Sequence, residues 1–130
     1  MTDLADAVQA ALFASLSAGV TRAPVFTIVP DNTQPPSVVI GDSQSEQIGG
    51  KGSDVERHDV VIRSIIGGTS RRDLFALMKE VKDALHNQPL SFAGALLSPA
   101  VLTSGASIRD IEEKVLIGEQ SFTVFAQPAP

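Results

Sequence analysis

Apolar residues recur at helical spacing over residues 3–18, where Leu4, Val8, Ala11, Leu12 and Leu16 share one face and Phe13 widens it. Thr2 is placed to cap this helix, Asp3 and Asp6 suit the positive end of its dipole, and Gly19 suits its stop. A second helical stripe comprises Leu74, Leu77, Met78, Val81 and Leu85. It follows Ser70-Arg71-Arg72-Asp73, laid out as a capping box with Asp in place of Glu or Gln. Lys79, Glu80, Lys82 and Asp83 face away from the stripe, and Asn87 and Pro89 end the helix. Between the two stripes the period changes to two. Residues 25–29 form a short β-branched run, residues 37–42 a second strand, and residues 55–66 the clearest strand. In that third run Val60, Ile62 and Ile66 share a face with His58 and Ser64, while Val61 and Ile65 share the other with Arg57 and Arg63. Both faces turn apolar toward the C-terminal end, which predicts a central, covered strand there. The charged first half is expected to project toward solvent or a partner.

Breakers separate these elements. Pro30-Asp31-Asn32 is turn chemistry, and Gln34-Pro35-Pro36 is an extended approach to the second strand. Residues 43–54 are polar and glycine-rich, which predicts a long loop or the mobile tip of a hairpin. In the last third, 96–103 fits a strand broken at Pro99, and 107–110 fits its continuation beyond Gly105. Asp110–Glu113 reads as a turn, and 115–126 as the final strand, with Leu116, Phe122 and Val124 on one face. The order predicts an α+β fold with a mostly antiparallel sheet of four to five strands, one face of which is available to both helices. Residues 1–126 are expected to form one domain and residues 127–130 a frayed tail.

Composition narrows the function classes. Of 130 residues, 43% are apolar and 19% charged, the profile of a folded chain rather than a disordered one. The net charge of −5 argues against a bulk electrostatic DNA binder. There is no cysteine, which removes disulfides, thiolate metal sites and thiol nucleophiles. The start carries Asp3 and Asp6 in place of a basic signal-peptide region, and no apolar run nears a membrane span, which predicts a soluble protein.

The search for chemistry finds fragments. Gly50-Lys51 lacks both the preceding glycine and the following Ser or Thr of a phosphate loop. Gly41-Asp42-Ser43-Gln44-Ser45 lacks the last glycine of a nucleophile elbow. His58 and His86 are 28 residues apart and match no metal-ligand spacing. His58, among Glu56, Arg57 and Asp59, reads as a surface or interface histidine rather than a base. Glu112 and Glu113, adjacent, read as a solvated turn. No catalytic residue, cofactor or metal is expected.

Charge distribution says more. Residues 31–59 carry a net −4 and residues 60–90 a net +2. Arg71 and Arg72 also run against the dipole at the start of their helix. Such asymmetry suits head-to-tail self-association, with Asp42, Glu46, Lys51, Asp54, Glu56, Arg57, Arg71 and Arg72 as candidate interface residues.

The layout as a whole resembles a known family. Its carriers are VQAALFASLSAG, the proline-rich approach to Val38-Val39-Ile40-Gly41, the strand through Glu56-Arg57-His58-Asp59, and the helix RRDLFALMKEVKDALHNQPL with two strands after it. Over roughly residues 4–126 this resembles the tail-terminator, or tail-completion, proteins of long-tailed bacteriophages and gene-transfer particles. Residues 93–112 depart most, because Pro99 and Gly105 interrupt the strand there. The resemblance implies two helices packed on one face of an antiparallel sheet. It also implies a structural, non-enzymatic virion protein: a homohexameric ring on the tail tube, meeting the tube protein and the head-side connector. DNA would pass through the channel without specific binding, and the acidic residues Asp42, Glu46, Asp54 and Glu56 would repel its phosphates. A head-completion protein on the portal side is the alternative within that class, and a small enzyme using His58 the alternative outside it.

Overall fold

The structure, a computed structural model, describes residues 3–28, 34–49, 54–68, 70–110 and 114–130, with backbone alone for 108–110. The elements run α1 (Leu4–Gly19), β1 (Val25–Phe26), β2 (Ser37–Gln47), β3 (Glu56–Gly67), α2 (Arg71–Leu85), β4 (Ala95–Leu97), β5 (Val101–Asp110) and β6 (Val115–Pro128). The six strands form one sheet in the order β1-β2-β3-β6, with β5 and β4 end to end along the far edge of β6. All pairings are antiparallel except β1 with β2, so the sheet is mixed, and it is five strands across because β4 and β5 share one edge.

Both helices lie on one face of this sheet. Leu4, Val8, Leu12 and Leu16 of α1 and Leu74, Leu77, Val81 and Leu85 of α2 are buried, as their spacing predicts. They pack on Val38 and Ile40 of β2, Val60, Ile62 and Ile66 of β3, and Leu116, Phe122 and Val124 of β6. Phe13 is an exception: at 39% exposed it stands off the apolar face it was expected to widen. The first cap also shifts. Asp3 Oδ1 accepts from the Ala5 and Asp6 amides, at 3.0 and 3.4 Å, while Thr2 lies outside the described residues. Ser70 caps α2 as expected, its hydroxyl accepting from the Asp73 amide at 3.3 Å. Gly19 is the last residue of α1, where the sequence places its stop, and Val20 caps it. A Cβ on Gly19 would lie 2.7 Å from Ala84 Cβ, so this glycine lets the two helices approach closely.

Strand limits differ from the sequence reading where side chains carry no signal. The first run pairs only over Val25–Phe26, and Ile28 is 84% exposed. Conversely, β2 runs to Gln47 through residues that read as loop. Polar Ser43–Gln47 pair with Glu56–Val60, because a ladder is made by backbone groups and not by apolar side chains. The two strands form a hairpin, and residues 50–53 lie outside the described residues. Likewise β5 runs unbroken through Gly105, which pairs with Gln120. Pro99 does break the edge strand. Ser98 bridges the gap, its amide donating to the Phe125 carbonyl at 2.9 Å and its hydroxyl accepting from the Phe125 amide at 2.8 Å. The tail expected to fray instead extends β6: Gln127 pairs with Leu96, Pro128 with Ala95, and the Ala129 amide donates to the Gly94 carbonyl. The turn residues Pro30–Asn32 and 111–113, with Glu112 and Glu113, fall outside the described residues.

Candidate functional site: the sheet edges and the helix-free face

The first candidate to test is His58, and the structure corrects its surface reading. It lies on the helix side of β3, 2% exposed, next to Ala5, Val8 and Gln9 of α1. Its Nε2 is 3.0 Å from Glu56 Oε1, so Glu56 is tied to the core and is less free than the other acidic candidates. The alternation of β3 explains this placement: His58 shares the phase of Val60 and Ile62, which fixes it inward. His86 caps the end of α2, and its Nδ1 accepts from the Leu102 amide at 3.0 Å. The elbow-like Gly41–Ser45 lies within β2 and leads to no helix. Among the described residues no group of three His, Asp or Glu side chains is placed to hold a metal ion.

The helix-free face of the sheet is polar and cross-braced. Arg63 Nη2 lies 3.4 Å from Asp42 Oδ2 and 3.6 Å from Glu119 Oε2. Gly41 makes room for it: a Cβ there would lie 3.3 Å from Arg63 Cζ and 3.2 Å from the Val61 carbonyl. Arg57 pairs with Asp59 at 3.2 Å. Across the strands Thr123 Oγ1 donates to Asp59 Oδ1 at 2.6 Å. That hydrogen bond, aided by Arg57 against a little burial, holds the Asp59 carboxyl below its ordinary pKa. Exposed ion pairs of this sort contribute about 0–1 kcal/mol each. Their larger effect is to cancel charge on this face. Arg63 and Glu119 escape a linear reading because they meet only through the β3–β6 register.

That register also gathers an apolar patch the sequence does not show. Leu96, Val101 and Phe125 are 48%, 42% and 40% exposed. Val101 pairs with Thr123 and Leu96 with Gln127, so the two flank Phe125 on the helix-free face.

The remaining predicted interface residues divide between the two sides of the sheet. Asp42 and Glu46 lie on β2, and Asp54 at the base of its hairpin, all exposed. Lys51 lies outside the described residues. Arg71 and Arg72 open α2, exposed, and Arg71 Nη1 donates to Ser107 Oγ of β5 at 3.4 Å. Acidic groups thus border β2, and an arginine borders β5 at the opposite side.

This is an α+β molecule with two helices packed on one face of a mixed sheet. The family model for tail completion protein gp17 matches residues 3–126, and the chain belongs to that family. Tail-completion proteins are structural components of the tail of phage-type particles, and this chain is one by membership. Among solved structures, a chain from the virion of a native gene transfer agent particle is similar to it, with a TM-score of 0.82 and 20% sequence identity. That alignment covers 98% of this chain and 99% of the other, and shows a shared fold. A search of curated proteins finds no match. Among the described residues no helix is long and apolar enough to cross a membrane.

Proposed function

We propose that this protein is a non-enzymatic ring subunit: six copies cap the finished tail tube and join it to the head-side connector. The observation that carries this reading is the opposed charge of the two sides of the sheet. Asp42 and Glu46 border one side, and Arg71 reaches over the other to Ser107. Two different, complementary surfaces on one chain make a heterologous contact, which closes into a ring when the rotation allows it. The helix-free face then lines the channel. Its arginines are already matched to Asp42, Asp59 and Glu119, so passing DNA meets no free cationic stripe. The exposed Leu96, Val101 and Phe125 patch lies at one end of that face, beside the start of β3, where it suits an axial contact with the tube protein.

A paired charge reversal tests the contact. Changing Asp42→Lys with Glu46→Lys should abolish the assembly seen by sedimentation, and adding Arg71→Glu with Arg72→Glu should restore it. Assembly unaffected by the first pair of changes would contradict the reading. Tails grown without the protein should be uncapped and fail to join heads.

A further inference from the structure

The ring reading leaves open how neighbouring copies are joined, and two strands of the sheet bear on this. Near its start β2 is covered by β1, through Val25↔Val38 and Phe26↔Val39. Beyond a register shift between Ile40 and Ser43, every residue from Asp42 to Glu46 is exposed on both faces of the sheet. Near its start β5 is covered by the end of α2, where His86 bridges Ala100 and accepts from Leu102. Beyond a register shift between Leu102 and Ser104, every residue from Thr103 to Ser107 is exposed. Beyond these points each strand is paired on one side only: among the described residues no strand adjoins the outer side of Ile40–Glu46 or Thr103–Asp110. Open edges of this length are templates for another chain, and native proteins commonly guard them with Lys or Pro. Neither residue occurs in 42–46 or 103–107.

We infer that the β2 edge of one copy pairs, antiparallel, with the β5 edge of the next, so that a single continuous sheet runs around the ring. The inference rests on the ring reading. Three observations support it. First, β2, β3, β6 and β5 alternate in direction. Rotation about a ring axis keeps each strand's sense along that axis, so β5 of one copy meets β2 of the next running the opposite way. Four strands per copy let the alternation close for any number of copies.

Second, the two edges are offset along the strands. The middle of the open β2 segment, Ser43, pairs with Val60. The middle of the open β5 segment, Ser107, pairs with Gly118, which pairs with Ser64. Val60 and Ser64 are four residues apart on β3. Four residues rise about 13 Å, and four strands span about 19 Å. Joining the two midpoints therefore tilts the strands by roughly 35°, the magnitude a closed barrel requires. Third, Val60 and Ser64 both face the helices, so Ser43 and Ser107 share that face and meet as a cross-strand pair.

Because the chain has no cysteine, disulfide trapping tests this on a clean background. Directly opposed strand residues have the Cα separation a disulfide accepts. The variant Ser43→Cys/Ser107→Cys, oxidised under native conditions, should give a ladder of covalent multimers ending at the ring. Neither single variant should cross-link. Ser45→Cys/Ser107→Cys covers a register slipped by two residues. If native mass shows a ring and neither double variant gives a ladder, the edge pairing is wrong and the ring reading stands. Cross-linked dimers from Ser43→Cys alone would mean a two-fold contact and overturn the pairing. A monomer throughout would overturn both.

Discussion

At the scale of single residues, close approach and charge pairing account for the least obvious positions. Gly19 is the first. Alanine has a helix propensity about 1 kcal/mol better than glycine. Against that, the added Cβ would stand 2.7 Å from the Cβ of Ala84, which has no rotamer to move away. The clash wins, and Gly19→Ala is expected to destabilise the fold by about 1–3 kcal/mol in chemical denaturation. Adding Ala84→Gly should recover much of that loss.

Glu80 is the second. Burial raises its pKa, but the Thr21 amide and hydroxyl, the Arg22 amide and the Arg22 guanidinium outweigh burial and leave the carboxyl below its ordinary value. Asp59 is shifted the same way by Thr123 and Arg57. A carboxyl with a lower folded pKa binds its proton less tightly in the native state than in the unfolded chain. The stabilisation is therefore complete above the ordinary carboxylate range and is lost as pH falls below about 4. Thermal melts between pH 7 and pH 3 should show this loss, and Glu80→Gln should make the profile shallower.

Among the elements, α2 contributes Leu74, Leu77, Val81 and Leu85 to the core. Leu77 is 1% exposed at the middle of its stripe, while Phe75, two residues earlier and so on the opposite side of the helix, is 52% exposed. Leu77→Ala is expected to cost about 2–5 kcal/mol. Phe75→Ala should change stability by less than about 0.5 kcal/mol in the same denaturant titration. Amphipathic periods of this kind are why both helices, β3 and the core face of β6 are legible in the sequence. The ends of β2 and β5 are not legible, because their residues are exposed on both faces and no alternation is imposed on them. His58 escapes a linear reading for a related reason. Its charged neighbours point to the surface, but its phase with Val60 and Ile62 decides its side. The candidate site was legible as a charge asymmetry along the chain. Its geometry was not: Arg63 with Glu119, and Phe125 between Leu96 and Val101, are neighbours only once the strand register exists.

For the whole molecule, the account turns on two unlike sides of a four-strand core meeting in successive copies. Part of that contact is between charged groups at the surface, so assembly should weaken as ionic strength rises and the Debye length shortens from about 10 Å at 0.1 M salt to about 3 Å at 1 M. The backbone pairing proposed for β2 and β5 is insensitive to salt, so a cross-linked ring should survive where the free ring dissociates. The central claim is that copies of this chain close on themselves, and the mass of the native assembly tests it most directly. At low salt and micromolar concentration the account predicts one discrete species of six chains. A chain that stays monomeric at every concentration and salt, or that grows without limit, would contradict it.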